Sequence, residues 1–393
     1  MEQQRTNRIS GRDLLRQVKQ GLSHYQQPVR RTGRSISVIR FEPVQGLDEQ
    51  TRVKLEASRV SANQKLKNFS SMGFEAKDVH LPHNVDPERF HEELLKANED
   101  PNSLGIIVQF PPPRTLLPYV QEIDPRKDID GLLGARSQQR ACATADGITR
   151  VALPYARDGA EVSVIGSNGF VGSGVVRLLN DQGIEPICLD YGDDLSRARQ
   201  SDVIISVTGS PGIIGGDIIA GHHRAVIDSG FVPREDGTVQ GDVRHDAYNI
   251  PQRITPVPGG IGPVEMAVLI ERGVQAEVDP QLKSWSYDGN AVTVGQRVGP
   301  GSGEQSRERI TVGSRLGGEL KEPSESRNTQ GKSPSGMSRA ARIAQRGQLP
   351  SGMSRAARIA QRGQLPSGRG SQNTGSTPGP SSDSPRGDCG MER

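Results

Sequence analysis

The chain has 393 residues, a length typical of two or three domains, and 33% of them are apolar. That fraction is low for a fully packed chain, so part of it is expected to be unfolded. No apolar run approaches the roughly 18 residues of a membrane-spanning helix, and the N-terminus has no apolar signal core. Because Cys142, Cys188 and Cys389 have neither metal-binding nor disulfide spacing, we expect a reducing, cytoplasmic location and no metal site.

The net charge of +3 is unevenly distributed. Residues 301–393 contain 15 Lys and Arg against 8 Asp and Glu, so the first 300 residues are mildly acidic. Any nucleic-acid partner would therefore have to bind the tail.

The first half of the chain alternates strands with helices. After a short amphipathic helix around Leu14 and Val18, the hydrophobic periodicity predicts further elements in order: a strand at 35–43, a helix at 49–72, a strand at 76–82, a helix at 87–98 and a strand at 105–113. Such alternation predicts a parallel sheet, and the continuous apolar core of GIIVQFPPP predicts burial on both faces.

Three polar residues stand near the ends of these elements, where α/β folds place their sites. By pattern alone, Lys65 is a solvated lysine, because its neighbours in SRVSANQKLKNF are polar. Gln109 ends an apolar strand before three prolines, so its amide either faces a cleft or caps a loop. Asp130 lies in PRKDIDGLLG, a segment that is equally consistent with an ordinary turn.

The segment VSVIGSNGFVGSGVVRLLNDQG, residues 162–183, reads as strand, glycine turn and helix in succession. Gly166 permits the tight turn, Gly169 lets the backbone approach a pyrophosphate, and Gly172 allows close packing of helix on strand. The free N–H groups at the helix N-terminus attract phosphate. This pattern predicts a Rossmann-type dinucleotide site.

A second strand, PICLD, ends at Asp190, 24 residues beyond Gly166. An acid at this spacing accepts hydrogen bonds from the ribose hydroxyls of NAD and repels the 2′-phosphate of NADP. A glycine-rich surface turn with an exposed aspartate remains the alternative.

Two more parallel strands and a last strand are predicted after this unit. The rigid loop TPVPGGIGP comes next and leads into a helix at 264–275. This loop either faces a ligand or simply closes the domain.

In order and spacing, these segments resemble the methylenetetrahydrofolate dehydrogenase/cyclohydrolase (FolD-type) family. The resemblance covers about residues 35–275 and rests on SRVSANQKLK, GIIVQFPPP, KDIDG, the glycine turn, VTGSPG and TPVPGGIGP. It implies a two-domain α/β fold, with a folate-binding catalytic domain at 1–140 and a Rossmann NAD(P)-binding domain at 141–280 that includes the helix at 264–275. It also implies a homodimer. The implied reactions are oxidation of 5,10-methylenetetrahydrofolate to the methenyl form and hydrolysis of that form to 10-formyltetrahydrofolate.

The resemblance also assigns residues to roles. Lys65 becomes the proton-handling group, positioned and polarised by Gln109, and Asp130 holds the pterin ring; burial would lower the pKa of such a lysine and suit it to both steps. The implied substrate-binding residues are Ser61, Pro258, Gly259 and Gly260. The implied cofactor-binding residues are Gly166, Ser167, Asn168, Gly169, Gly172, Asp190, Thr208 and Gly209.

The chain departs from the family pattern at several places. Ser61 stands where the family usually has tyrosine, RACATADGIT lacks two prolines, and Val264-Glu265 replaces Met-Thr. On the cofactor side, Ser167-Asn168 and Asp190-Tyr191 replace the Arg-Ser and Ser-Arg pairs of NADP-using members. We therefore predict a preference for NAD, with NADP possible from the family. An alternative suggested by Ser61 is a pseudoenzyme that binds dinucleotide or folate.

Residues 281–393 are predicted to form a disordered basic tail. A 16-residue unit, PSGMSRAARIAQRGQL, occurs in tandem at 334–349 and 350–365. It could form a basic helix on RNA, on an acidic protein or on a membrane surface, or it could be a functionless duplication. Because no aromatic residue lies between the arginines, base stacking has no platform, and nucleic-acid binding through the tail is kept only as an alternative.

Overall fold

The structure is a computed structural model that describes residues 7–234 and 236–295. The helices are α1 (Gly11–Gly21), α2 (Gln26–Thr32), α3 (Glu49–Ser71), α4 (Pro87–Glu99), α5 (Leu117–Val120), α6 (Ala143–Ala152), α7 (Phe170–Asp181) and α8 (Ile261–Glu277). The strands are β1 (Ser35–Glu42), β2 (Glu75–Pro82), β3 (Ser103–Val108), β4 (Val162–Ile165), β5 (Ile187–Leu189), β6 (Val203–Ser206), β7 (Ala225–Asp228), β8 (Val232–Pro233), β9 (Val239–Gln240), β10 (Ser286–Tyr287) and β11 (Val292–Thr293).

The first sheet is parallel, with the strand order β2-β1-β3. All six residues of β3 are buried, as its continuous apolar sequence predicts. Helix α3 packs on β1 and β2, and α4 packs on β3. Because β2 and β3 pair with opposite edges of β1, the strand order reverses there, and folds of this kind place their sites at the carboxyl ends of β1 and β3. Gln109 directly follows β3 at this end of the sheet.

The second sheet is also parallel, with the order β5-β4-β6-β7. Its strand order reverses between β4 and β6, so the glycine turn after β4 and Thr208 beyond β6 meet at one edge. The two parallel sheets confirm the predicted α/β fold.

The ends of the helices follow from local chemistry. Asp48 caps α3 by accepting a hydrogen bond from Thr51 N, and Gly73 ends it with φ of 100°. At α7, Gly169 is the N-cap and no side chain caps the helix, so the N–H groups of its first turn face outward.

Several features differ from the sequence-based expectations. Helices α2 and α6 arise in segments for which no element was predicted, and α8 begins at Ile261 rather than at residue 264. The expected last strand is reduced to isolated bridges that join Ile254 to Val226 and Arg8. The predicted start of the tail at residue 281 is too early, because β10 and β11 form a hairpin and Trp285 beside it is buried.

Within the described ranges, no helix is long and apolar enough to cross a membrane. The tandem repeats at 334–349 and 350–365 lie outside the described residues.

Candidate active site

One cleft of about 810 Å³ brings together residues from both parallel sheets and from the loop before α8. The predicted site residues that line it are Ser61, Gln109, Thr208, Gly209, Pro258, Gly259 and Gly260. They converge because α3, the end of β3, the end of β6 and the Pro-Gly-Gly loop all reach the same side of the molecule. The loop of TPVPGGIGP therefore faces the cleft, which favours its ligand-facing interpretation.

Lys65 lies behind the wall of this cleft and is only 1% exposed. Its Nζ donates hydrogen bonds to Ser61 Oγ at 2.9 Å and to Glu265 Oε1 at 2.6 Å. Ser61 and Lys65 are neighbours because they lie four residues apart on one face of α3. The pattern-based interpretation of Lys65 as a solvated lysine is therefore wrong.

The charge state of Lys65 also differs from expectation. Burial by itself lowers the Lys65 pKa, but the carboxylates of Glu265 and Asp130 act in the opposite direction and leave that pKa raised above its ordinary value. The prediction that burial lowers the Lys65 pKa is therefore wrong, because it did not include these two carboxylates. The two carboxylates therefore favour the ammonium form of Lys65.

The two aspartates of KDIDG have separate roles. Asp128 accepts hydrogen bonds from the backbone N–H groups of Gly131, Leu132 and Leu133, so it forms the turn. Asp130 accepts one from Ala143 N at 3.1 Å and is 8% exposed. Burial, opposed by the positive charge of Lys65, raises the Asp130 pKa.

Helix α8 holds the site from behind. Glu265 and Arg272 lie seven residues apart, on the same face of the helix. Arg272 is buried and donates to the carbonyls of Ile129, Asp130 and Ala141, at 3.2, 2.9 and 3.0 Å. The same helix face therefore pairs with Lys65 and fixes the backbone around Asp130.

Gln109 faces the cleft rather than capping a loop. The residue is 8% exposed, and its Oε1 is buried without a hydrogen-bond partner. Among the described residues no hydrogen bond joins it to Lys65, although the resemblance implied that it positions this lysine. An unpartnered buried amide oxygen is costly, so this atom is suited to accept a hydrogen bond from a ligand.

The glycine turn has the geometry of a phosphate cradle. A Cβ atom on Gly172 would lie 2.1 Å from the carbonyl oxygen of Gly166, so only glycine permits this approach of helix to turn. Gly166 has φ of 88° and packs against Val207 and Thr208 of the neighbouring strand end. Phe170, the first residue of α7, stacks on Phe110 with ring centroids 5.1 Å apart and links the turn to the cleft.

Asp190 lies beside this turn. Its Oδ2 accepts a hydrogen bond from Asn168 N at 2.7 Å, and its Oδ1 accepts one from Tyr191 N at the same distance. The residues that follow β5 add two more carboxylates, Asp193 and Asp194. Ser167 is buried and donates to Leu189 O at 3.3 Å. The end of β5 is therefore acidic next to the cradle.

Sequence reasoning noted Glu265 as a departure but gave it no role, and it overlooked a buried aspartate pair. Asp242 Oδ2 accepts hydrogen bonds from Ser206 Oγ and Thr208 N, which fixes the end of β6. Burial and the neighbouring Asp242 raise the pKa of Asp228 to about 7. The signal for Glu265 was a single acid within the apolar first ten residues of α8.

Two models of one family match this chain. The tetrahydrofolate dehydrogenase/cyclohydrolase catalytic domain matches residues 13–130, and the NAD(P)-binding domain of the same family matches residues 142–279. The bifunctional protein FolD of Staphylococcus aureus (strain Newman) is 30% identical over an alignment 286 residues long that covers 68% of this chain and 96% of that protein.

Solved structures agree. The bifunctional FolD enzyme of Campylobacter jejuni superposes with a TM-score of 0.59 at 25% identity, over 70% of this chain and 99% of that one. The Trypanosoma brucei enzyme, solved with NADP and an inhibitor, has a TM-score of 0.58 at 27% identity, over 68% and 96% of the two chains. With both domain models matched in order, this chain belongs to the tetrahydrofolate dehydrogenase/cyclohydrolase family.

Proposed function

We propose that this protein oxidises 5,10-methylenetetrahydrofolate to 5,10-methenyltetrahydrofolate with a nicotinamide dinucleotide, preferably NAD, and hydrolyses the methenyl form to 10-formyltetrahydrofolate in one-carbon metabolism. The observation that supports this most directly is the cleft itself. Ser61 and Gln109 from the catalytic half and Thr208 and Gly209 from the dinucleotide half line the same space. A folate and a nicotinamide could therefore meet there.

The residues at the cradle fit a dinucleotide. The uncapped N-terminus of α7 offers backbone N–H groups to a pyrophosphate, and Gly172 gives the close approach that this geometry needs. Gly166, Ser167, Asn168 and Gly169 would line the phosphates. When bound, the nicotinamide supplies the chemistry of hydride acceptance.

The roles of the catalytic-half residues rest on their burial and charge. Lys65 would act as an ammonium group behind Ser61, where it donates hydrogen bonds and provides a positive charge. Gln109 would accept a hydrogen bond through its unpartnered Oε1. Asp130, whose pKa is raised by burial, would hold the pterin ring. Pro258, Gly259 and Gly260 would contact the substrate across the cleft.

The NAD preference is supported by charge. Asp190 and the acidic residues after it lie where the adenosine ribose is expected, and no arginine follows Gly166 or Asp190 directly. A 2′-phosphate there would meet negative charge. The homodimer implied by the family and the cytoplasmic location predicted from the cysteines remain predictions.

The test is turnover of 5,10-methylenetetrahydrofolate by the purified full-length protein with NAD and NADP in parallel. We expect faster methenyl formation with NAD, followed by methenyl decay above the buffer rate, and loss of both in Lys65→Ala. Dinucleotide binding without turnover by either cofactor would contradict the proposal and favour the pseudoenzyme. A lower Kd for NADP than for NAD would contradict only the cofactor preference.

A further inference from the structure

The ion pair between Lys65 and Glu265 places a carboxylate where the family pattern described above has a threonine. The Nζ–Oε1 distance is 2.6 Å, and the two side chains are 1% and 12% exposed. Glu265 reaches Lys65 from a different helix, 200 residues along the chain, so the contact is made by the tertiary fold. Desolvation of the two groups offsets much of the attraction in such a buried pair, so the pair adds little stability by itself.

Lys65 is poorly placed to accept a proton in this arrangement. Its ammonium donates to Ser61 Oγ and to Glu265 Oε1, and a lysine accepts a proton only after losing one. The carboxylate opposite favours the charged form of the lysine. Hydration of a methenyl carbon needs a group that removes a proton from water, and the ion pair with Glu265 favours the form of Lys65 that has no free lone pair.

Glu265 meets the requirements for that group. Its side chain lines the cleft, beside Ser61 and Gln109. Only Oε1 bonds to Lys65; Oε2 makes no hydrogen bond within residues 7–234 and 236–295. The carboxylate also balances the ammonium charge, which would otherwise repel a cationic methenyl group held in the cleft.

We propose that Glu265 is the proton acceptor of the hydrolytic step, with Lys65 as its ion-pair partner. This inference rests on the proposed function. Water oxygen bonds to the cationic methenyl carbon as one water proton passes to Glu265, and the C=N π electrons move to N5. The acid form of Glu265 then protonates N5 as the C–N5 bond breaks, and the hydroxyl oxygen becomes the formyl carbonyl as it releases its proton to solvent. One water is consumed and one proton is released, with no change in oxidation state.

The experiment supplies 5,10-methenyltetrahydrofolate directly to the full-length protein and follows its loss above the buffer rate. Glu265→Gln keeps an oxygen to accept from Lys65 but removes the base, and we expect hydrolysis to fall about 100-fold or more. Glu265→Asp should recover part of the rate. Glu56→Gln is the matched control, because Glu56 lies on the same helix as Lys65 but pairs with Arg59 on the surface.

The pH dependence of hydrolysis by the wild-type protein gives a second readout. Because the Lys65 pKa is raised, a lysine base predicts a rate that climbs through the alkaline range. That profile, or an equal or faster rate in Glu265→Gln, would overturn the inference.

Failure of the inference can be told from failure of the proposed function. If the wild type hydrolyses the methenyl form and Glu265→Gln does so at the same rate, the role of Glu265 is refuted and the proposed function stands. A wild type that neither oxidises the methylene form nor hydrolyses the methenyl form refutes both. Dinucleotide binding and thermal unfolding of each variant show whether it is folded.

Discussion

Replacing Gly172 with alanine tests the phosphate cradle directly. The new Cβ would lie 2.1 Å from Gly166 O, 2.9 Å from Gly166 C and 3.0 Å from Ser167 Cα. All three are backbone atoms, so no side chain can swing aside. Because ordinary contact begins near 3.4 Å, α7 and the turn must separate by about 1.3 Å.

Such a displacement exceeds what a backbone-to-phosphate hydrogen bond tolerates. Losing one bond to a charged group costs about 1.5–3 kcal/mol, so the Kd for NAD should rise at least about tenfold. The overpacking itself should cost about 1–3 kcal/mol of unfolding free energy. Isothermal titration with NAD measures the first effect and chemical denaturation the second.

Two alanine substitutions provide a graded comparison. A Cβ on Gly169 would lie 3.3 Å from Gly166 O, which calls for only a slight adjustment, so Gly169→Ala should weaken NAD binding less than Gly172→Ala. A Cβ on Gly221 would meet only Ile250 O, at 3.8 Å, and Gly221→Ala should leave the Kd unchanged. Wild-type affinity in Gly172→Ala would refute the cradle geometry.

Three further predictions concern charge. Asp190→Ser should reduce the NAD-over-NADP ratio of kcat/KM by about tenfold, the factor that corresponds to about 1.4 kcal/mol of lost repulsion; an unchanged ratio would refute the role of Asp190. Lys65→Met should destabilise the protein by about 3–5 kcal/mol in denaturant unfolding, because Glu265 stays buried without its cation. Combining Lys65→Met with Glu265→Met should recover much of this loss. Because burial raises the Asp228 pKa to about 7, the native state binds a proton that the unfolded state has released, so unfolding free energy should fall as pH rises from about 4 to 7. Asp228→Asn should lack this slope, and an identical slope would contradict the assignment.

Some parts of the fold were predictable because their determinants are local. The strand, glycine turn and helix of residues 162–183 form where the apolar periodicity and the glycines predict them, and the buried β3 follows from its apolar run. Helix α6 was missed, because alanines, threonines and a glycine give a weak helical pattern and seven of its residues are buried by tertiary packing.

The sequence by itself determined the alternation of strands and helices, the glycine turn and the acid at the end of β5, because each depends on residues within about 25 positions of one another. Only the tertiary structure decided the state of Lys65. Its neighbours on α3 are polar, so its burial depends on α8, which supplies Glu265 from 200 residues away. A pKa is set by the charges within a few ångströms in space, and periodicity along a chain carries no record of those distances.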